Sequence, residues 1–267
     1  MNKLFLFILI TYSVSIAQNK STLSKERLYG KVKVLLTTEY NVDEKFGKLI
    51  KGETNYAKKY FYNNKGFKVK LIIYGRKGDP FEIKEYHYNS KDELCKYTIQ
   101  DAWKKKPETE IEKLLDYSYS SYEVLYKYDK NENIIEDNLG IFYSETRFNS
   151  GINKYHYDAK NKKIRRALYN KPGKINYAWE FKYDSDDNLI EQLGLSGNGY
   201  VDEKTVFNYN SKNDIILKSI YNGEEELVLK SSCEYLEYDN NKNWTKRIVY
   251  NNDIPLVIEE RDVQYYK

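Results

Sequence analysis

The chain is poor in cysteine, histidine, methionine and proline, with 2, 2, 1 and 4 of them in 267 residues. Cys95 and Cys233 are too few to staple a disulfide-dense domain. Together with His87 and His156 they lack the spacing of a zinc cage. A bridge between the two cysteines needs Cα atoms within about 7 Å, and 138 residues of separation in a linear array argues against it. Charge of one sign is missing too. Lys and Arg number 44 against 40 Asp and Glu, a formal net charge of +4. The densest basic run, Lys104–Lys106, is followed at once by acids. A nucleic-acid surface needs a one-signed stripe; the mixed pattern serves solubility instead. Beyond residue 17 no apolar run is long enough to span a bilayer as a helix.

Residues 1–17, "MNKLFLFILITYSVSIA", stand apart, with a lone Lys3, an apolar run from Leu4 to Ile10, and small residues Ser15 and Ala17. This is the pattern of a secretory signal peptide cleaved after Ala17. The rival, a membrane anchor, is disfavoured by the short run, and a lipid anchor by the lack of a nearby cysteine. The expected mature chain, at +3 without Lys3, is soluble and exported, in the periplasm or outside the cell, with no integral membrane segment.

What the chain has in excess is aromatic side chains, 29 Tyr and 10 Phe. Tyrosine favours strands and suits half-buried sheet positions. These residues also recur with a period. Reference tyrosines Tyr62, Tyr88, Tyr128, Tyr157, Tyr183, Tyr209 and Tyr238 are spaced by 26, 40, 29, 26, 26 and 29. Two residues earlier stand Tyr60, Tyr86, Tyr126, Tyr155, Phe181, Phe207 and Leu236; the following residue is always Asn or Asp.

The unit follows from this spacing. Aromatic–x–aromatic puts both rings on one strand face. Asn or Asp then starts a turn by bonding the backbone two residues on, and Asn tolerates the left-handed conformation such turns need. A second strand begins at Val69, Cys95, Ile135, Ile164, Ile190, Ile216 and Thr245, seven past each reference. An even separation places these on one face with Ile73, Ile99, Leu139, Leu168, Gly194, Ile220 and Val249. Each unit is a β-hairpin handing on to the next. A lone hairpin is marginal, whereas a stacked array buries a shared face.

The resulting expectation is an all-β fold: repeated antiparallel β-hairpins in a long meander sheet that twists strongly, curled or solenoid-like. After the signal, 18–58 hold a linker and a divergent hairpin that caps the open sheet edge, turning at "NVDEKFG" (41–47). Seven hairpins fill 59–267. The 40-residue spacing carries an insert at about 101–121, read either as a short helix behind Pro107 or as a longer loop between extended strands.

With those residues laid out, the chain resembles the bacterial YD-repeat (Rhs-type) family, whose unit runs Tyr-Asp, two variable residues, Gly-Asn, then an apolar strand. "YDKNENI" (128–134), "YDSDDNL" (183–189) and "YDNNKNW" (238–244) carry the likeness. The family glycine is absent from most units, Gly66 being the nearest approach, and no self-cleaving core or toxin domain follows. Large members wind hairpins into hollow shells; seven or eight hairpins are too few for a closed shell. The resemblance implies the hairpin fold and export rather than an activity.

Candidate chemistry competes with turn formation. "DSDDNLIEQLGL" (184–195) has oxygen ligands where a calcium loop would, but Leu189 and Leu195 replace the required Gly and Glu. His87 and His156 occupy an outward, polar repeat position. Asp186, Asp187 and Glu224–Glu226 read as solvated turn charges. No nucleophile elbow, phosphate loop or cofactor fingerprint appears, so neither an enzyme nor a cofactor is expected. Tyrosines outside the repeat columns, Tyr117, Tyr119, Tyr122 and Tyr200, are the candidate ligand-binding aromatics. The favoured function is a binding or scaffold module at the cell envelope with a glycan or protein partner. The alternative is a shell fragment or immunity-like component of an interbacterial toxin system. A glycan-active enzyme would require a buried carboxylate pair.

Overall fold

The computed structural model of the protein describes residues 21–101, 120–143, 146–171 and 173–267. A single helical turn, α1 (Thr22–Lys25), precedes sixteen strands. The first eight are β1 (Val32–Lys45), β2 (Lys48–Tyr62), β3 (Lys68–Tyr74), β4 (Pro80–Tyr88), β5 (Leu94–Asp101), β6 (Ser120–Tyr128), β7 (Ile134–Tyr143) and β8 (Thr146–Tyr157). The second eight are β9 (Lys163–Lys171), β10 (Lys174–Tyr183), β11 (Leu189–Ser196), β12 (Val201–Tyr209), β13 (Ile215–Asn222), β14 (Leu227–Tyr238), β15 (Trp244–Asn251) and β16 (Ile254–Tyr265). Every strand pairs antiparallel with its neighbours in sequence, and β1 also pairs with β16 from Val32↔Tyr265 to Asn41↔Val257. The all-β expectation holds, but the open meander does not: this is a closed barrel. The first hairpin does not cap an edge. Its strand β1 is the seam that removes both edges, which is the most complete protection a sheet has. Its turn is also tighter than expected, confined to Phe46 and Gly47, both at positive φ as a two-residue hairpin turn requires.

The seven turns that follow reference tyrosines share one geometry. The Asn or Asp side-chain oxygen accepts the backbone N–H groups two and four residues on, as Asp184 does from Asp186 (2.9 Å) and Asn188 (2.8 Å). Asn63, Asn89, Asp129, Asp158, Asn210 and Asp239 repeat this pair of bonds. The fourth residue past each reference has positive φ: Gly66, Asp92, Glu132, Asn161, Asp187, Asn213 and Lys242. Only the first is glycine, and there space as well as φ demands it, since an added Cβ would lie 2.9 Å from Ser21.

A register shift accompanies every one of these hairpins, just before the reference tyrosine. The extra residue of such a β-bulge breaks the period-two rule. Consequently the column seven past the reference parts from the column eleven past it. Ile135, Ile164, Ile190 and Ile216 are exposed, and the expectation that they share a face with the column eleven past the reference is corrected. The residue nine past the reference moves inward instead, opposite the first aromatic: Tyr126↔Asp137, Tyr155↔Arg166, Phe181↔Gln192, Phe207↔Lys218. In the last unit two shifts place Tyr235, not the exposed Leu236, opposite Arg247.

The reference tyrosines are tyrosines for a further reason. Five of the seven hydroxyls donate to a backbone carbonyl in the preceding hairpin: Tyr88 to Lys68 (2.8 Å), Tyr128 to Leu94 (2.6 Å), Tyr157 to Ile134 (2.8 Å), Tyr183 to Lys163 (2.9 Å) and Tyr209 to Leu189 (2.8 Å), while Tyr238 donates to the Asp214 carboxylate (2.8 Å). Tyr266 closes the circuit by donating to the carbonyl of Tyr62 at 2.6 Å. This ladder ties each hairpin to the last, whereas the column two residues earlier needs only a ring and accepts Phe.

Residues 21–31 lie across the barrel end formed by these turns. Leu23 and Leu28 pack on Val32, Leu35 and Tyr62 of the seam. Glu26 receives the Tyr62 hydroxyl (2.7 Å) and the Lys68 ammonium. On the far side, Arg27 donates to the carbonyl of Asn213 at 2.9 Å and lies over the ring of Tyr209. A segment that reaches both β2 and β12 must cross the mouth, which identifies the face carrying Tyr62 and Tyr209 as the inner one.

Candidate ligand-binding lumen

Sixteen strands spaced by about 4.8 Å and tilted by about 40° correspond to a circular backbone section roughly 30 Å across, into which the inner-face side chains project. The two faces of the wall differ. Outward positions carry ion pairs around the circumference: Lys70–Glu85 (3.1 Å), Lys127–Glu136 (2.6 Å), Arg165–Glu180 (3.2 Å), Lys182–Glu191 (2.6 Å) and Lys51–Glu260 (2.7 Å). Inward positions carry aromatic rings and a second set of charges. Tyr86, Tyr97 and Tyr126 follow one another around the wall with ring centroids 5.6 and 6.4 Å apart. Burial keeps these hydroxyls protonated; those of Tyr88 and Tyr209, nearer the mouth, are pushed up to about 12.

At the seam, register aligns three rows on the inner face. The lowest is Tyr60–Leu35–Val263, the next Lys58–Thr37–Arg261, and the highest Tyr56–Glu39–Glu259–Arg247. Glu259, 6% exposed at its side chain, is gripped by Arg247 through Nε at 2.6 Å and a terminal nitrogen at 2.5 Å. Arg247 also donates to the Tyr235 hydroxyl (3.1 Å), which in turn donates its O–H to the carbonyl of Ile215 (3.0 Å). Glu39 stands directly opposite Glu259 and accepts from Asn55 Nδ2 at 2.5 Å. Burial, with a further push from Glu259, raises its carboxyl above the usual range despite the Asn55 bond. Two guanidiniums lie over the Trp244 ring, Arg261 at 3.5 Å and Arg247 at 4.3 Å from its centre.

The opposite wall, β7 to β10, repeats the theme. Asp137 accepts from Asn153 Nδ2 (2.8 Å) and from the Tyr155 hydroxyl. Arg166 Nε donates to Asn153 Oδ1 at 2.9 Å while its guanidinium lies 4.6 Å over Trp179. Lys163 sits 4.9 Å from the centre of the Phe181 ring. Burial, reinforced by neighbouring Arg166, lowers its ammonium to about 8. The lumen therefore offers flat rings, planar donors and fixed charges on facing walls, the equipment of a binding surface.

The expected site residues fare unequally. Tyr117 and Tyr119 lie outside the described residues, as do the signal peptide and nearly all of the 101–121 insert. Tyr122 occupies a β6 position in register with Ile99. Tyr200 is 73% exposed beside the β11–β12 turn, remote in the strand order from the seam. His87 and His156 are exposed, and Asp184 spends its oxygens on the turn. Among the described residues no group of three or more His, Cys, Asp or Glu is placed to hold a metal, and Cys95 and Cys233 are free, on β5 and β14. The lumen charges were missed. Their one signal is the charged or amide residue recurring nine past the reference: Asp137, Arg166, Gln192, Lys218 and Arg247.

No protein-family model matches the chain, and no curated protein matches it by sequence. Among solved structures it is similar to a porin-like protein from Bacteroides uniformis ATCC 8492, with TM-score 0.54 and 10% identity over 87% of this chain and 96% of that one. This likeness shows the barrel fold alone. It also overlays TcdB2–TccC3 without its hypervariable C-terminal region, with TM-score 0.30 and 9% identity over 82% of this chain and 15% of that one. No helix among the described residues is long and apolar enough to cross a membrane, so any crossing would fall to the strands.

Proposed function

We propose that the protein is an exported, water-soluble barrel that acts as a binding or scaffold module at the cell envelope and holds a glycan or protein ligand against its inner wall. The observation that carries this reading is the polarity of the wall. A membrane barrel needs an outward apolar band about 25 Å tall, and each cation placed in it costs about 2–4 kcal/mol at the midplane. An eight-residue strand such as β11, tilted by about 40°, rises only about 20 Å, and ion pairs occupy part of that height on the outer face. With rings and donors turned inward, the lumen is the surface built for a ligand. The tyrosine, Asp and Asn positions make the hairpins of YD type within the same reading.

The test has two arms. Expressed without detergent, the protein should run as a discrete species in gel filtration and stay out of liposomes. On glycan and peptide arrays it should bind a ligand that Trp179→Ala or Tyr97→Ala releases and Tyr200→Ala does not. Quantitative insertion into liposomes, or binding untouched by both lumen variants, would sink the reading.

A second reading, hydrolysis of the bound chain, is favoured by the Glu39–Glu259 pair, two buried carboxylates directly opposite each other, Glu39 raised by burial and Glu259 gripped by Arg247. Chromatography of a bound glycan before and after incubation decides it, since cleavage abolished in Glu39→Gln would establish it and an unchanged glycan would dismiss it.

A further inference from the structure

Arg261 is the odd residue of the lumen. Arg247 and Arg166 have carboxylate, hydroxyl or amide partners, and Lys163 and Lys58 lie near aromatic rings. Arg261 is half-buried, yet it makes no hydrogen bond and no ion pair with any described residue, and its Nε is buried without an acceptor. The acid on its own strand, Glu259, is already gripped by Arg247. The other acid of the seam, Glu39, is held by Asn55. What Arg261 has is a flat support, the Trp244 ring 3.5 Å beneath it. A guanidinium stacked on an indole is fixed in plane, with its edge turned to whatever lies beside it. Beside it in register is Thr37, and beyond Thr37 is Lys58. A hydroxyl thus lies between two cations on one inward row.

We propose that Arg261, Thr37 and Lys58 form an oxyanion site in the lumen that receives a carboxylate, sulfate or phosphate group. This deepens the preceding reading, on which the lumen is the binding surface, by giving the ligand an anionic group. The chemistry is that of a charge-assisted fork: the guanidinium edge donates to two oxygens, Thr37 supplies a neutral donor, and Lys58 supplies a second charge. Leaving a buried cation without a counter-ion is costly, and the cost is visible: burial, with Arg247 adding to it, lowers Arg261 to about 10. Burial lowers Lys58 as well, against the pull of Glu259 and Glu39. A bound oxyanion relieves both. The neighbouring acids do not fill this role, because Glu259 faces Arg247, and Glu39, with its raised carboxyl, faces Asn55.

The experiment is a thermal-shift and calorimetric titration of the purified protein with sodium sulfate, phosphate and glucuronate. Ionic strength is held constant with chloride, and Trp fluorescence serves as a second readout. At least one oxyanion should bind saturably. Arg261→Met, which keeps volume over Trp244, should weaken it tenfold or more and raise the melting temperature in anion-free buffer. Thr37→Val should weaken it severalfold, and Lys127→Met, an outward cation of equal charge, should leave it unchanged. Sulfate and phosphate binding without glucuronate would assign a tetrahedral ligand, and the reverse a carboxylate. The proposal is overturned if no oxyanion binds saturably, or if Arg261→Met and Thr37→Val both bind as the parent does. These results are independent of the array experiment, so a silent array with a working anion site removes only the glycan or protein ligand.

Discussion

Arg247→Met probes the seam most sharply. In the folded barrel the Arg247 side chain is 14% exposed and that of Glu259 6%. Removing the cation leaves Glu259 buried, unpaired and directly across from Glu39. Breaking one side of a buried pair costs about 3–5 kcal/mol, and the Tyr235 hydroxyl loses a donor as well. At about 2–4 °C per kcal/mol for chains approaching this size, the melting temperature should fall by about 10 °C. The loss should also depend on pH. Glu39, already raised by burial and by Glu259, is pushed further up once the cation that offsets Glu259 is gone. A raised acid costs stability above its folded pKa, and that cost is relieved as pH falls through it. The gap between parent and variant should therefore narrow between pH 7.5 and 4.5. Arg247→Met/Glu259→Leu, which removes both charges, should recover most of the loss. Urea unfolding followed by tryptophan fluorescence at the two pH values measures all of this. A loss under about 1 kcal/mol at pH 7.5, or an equal loss at both pH values, would refute the reasoning.

Other expectations follow from the turns and the ladder. Tyr209→Phe removes the bond to the Leu189 carbonyl and should cost about 1 kcal/mol in urea unfolding, while Tyr200→Phe, on an exposed ring, should cost nothing measurable. At Asp129 and Asp184 burial opposes ionisation, but the bonds from the Asn133 and Asn188 amides and from backbone N–H groups outweigh it and hold both carboxyls below their usual range. Their stabilisation is present above about pH 4, the unfolded value, and is lost as pH falls through the lowered folded values. Asp184→Asn should keep the turn, because Asn210 makes the same two bonds, and should flatten the loss of stability in acid titrations. Burial pushes the Cys233 thiol up, so alkylation at pH 7.5 should be slow in buffer and fast in urea.

Much of this architecture is legible in local spacing because the physics is local. The Tyr–x–Tyr pair, the Asx turn and the left-handed fourth residue are each set by a few adjacent side chains, and they recur in all seven hairpins. Two things escape a local reading. The first is the bulge before each reference tyrosine. It adds one residue to a strand and reverses the facing of Ile135, Ile164, Ile190 and Ile216, which period-two counting places on one face with the column eleven past the reference. The second is closure. Nothing in "VKVLLTTEY" names "VIEERDVQY" as its partner; the two meet only because the twist of fourteen intervening strands brings them round. Closure is also what turns Arg247, Glu259 and Arg261 into lumen residues. In an open sheet the same side chains would be solvated, and the candidate site would not exist.

The seam itself is therefore the most direct test. Leu36 and Asp262 are register partners on the outward face of β1 and β16, and paired strands hold such Cα atoms about 4.5–5.5 Å apart, within disulfide range. In a Cys95→Ser/Cys233→Ser background, Leu36→Cys/Asp262→Cys should form an intramolecular disulfide under mild oxidation, seen as a faster band on a non-reducing gel and as a linked peptide by mass spectrometry. An open sheet would hold these residues at opposite ends of the array, and cysteines that stay fully reduced and alkylatable in the folded protein would contradict the closed barrel.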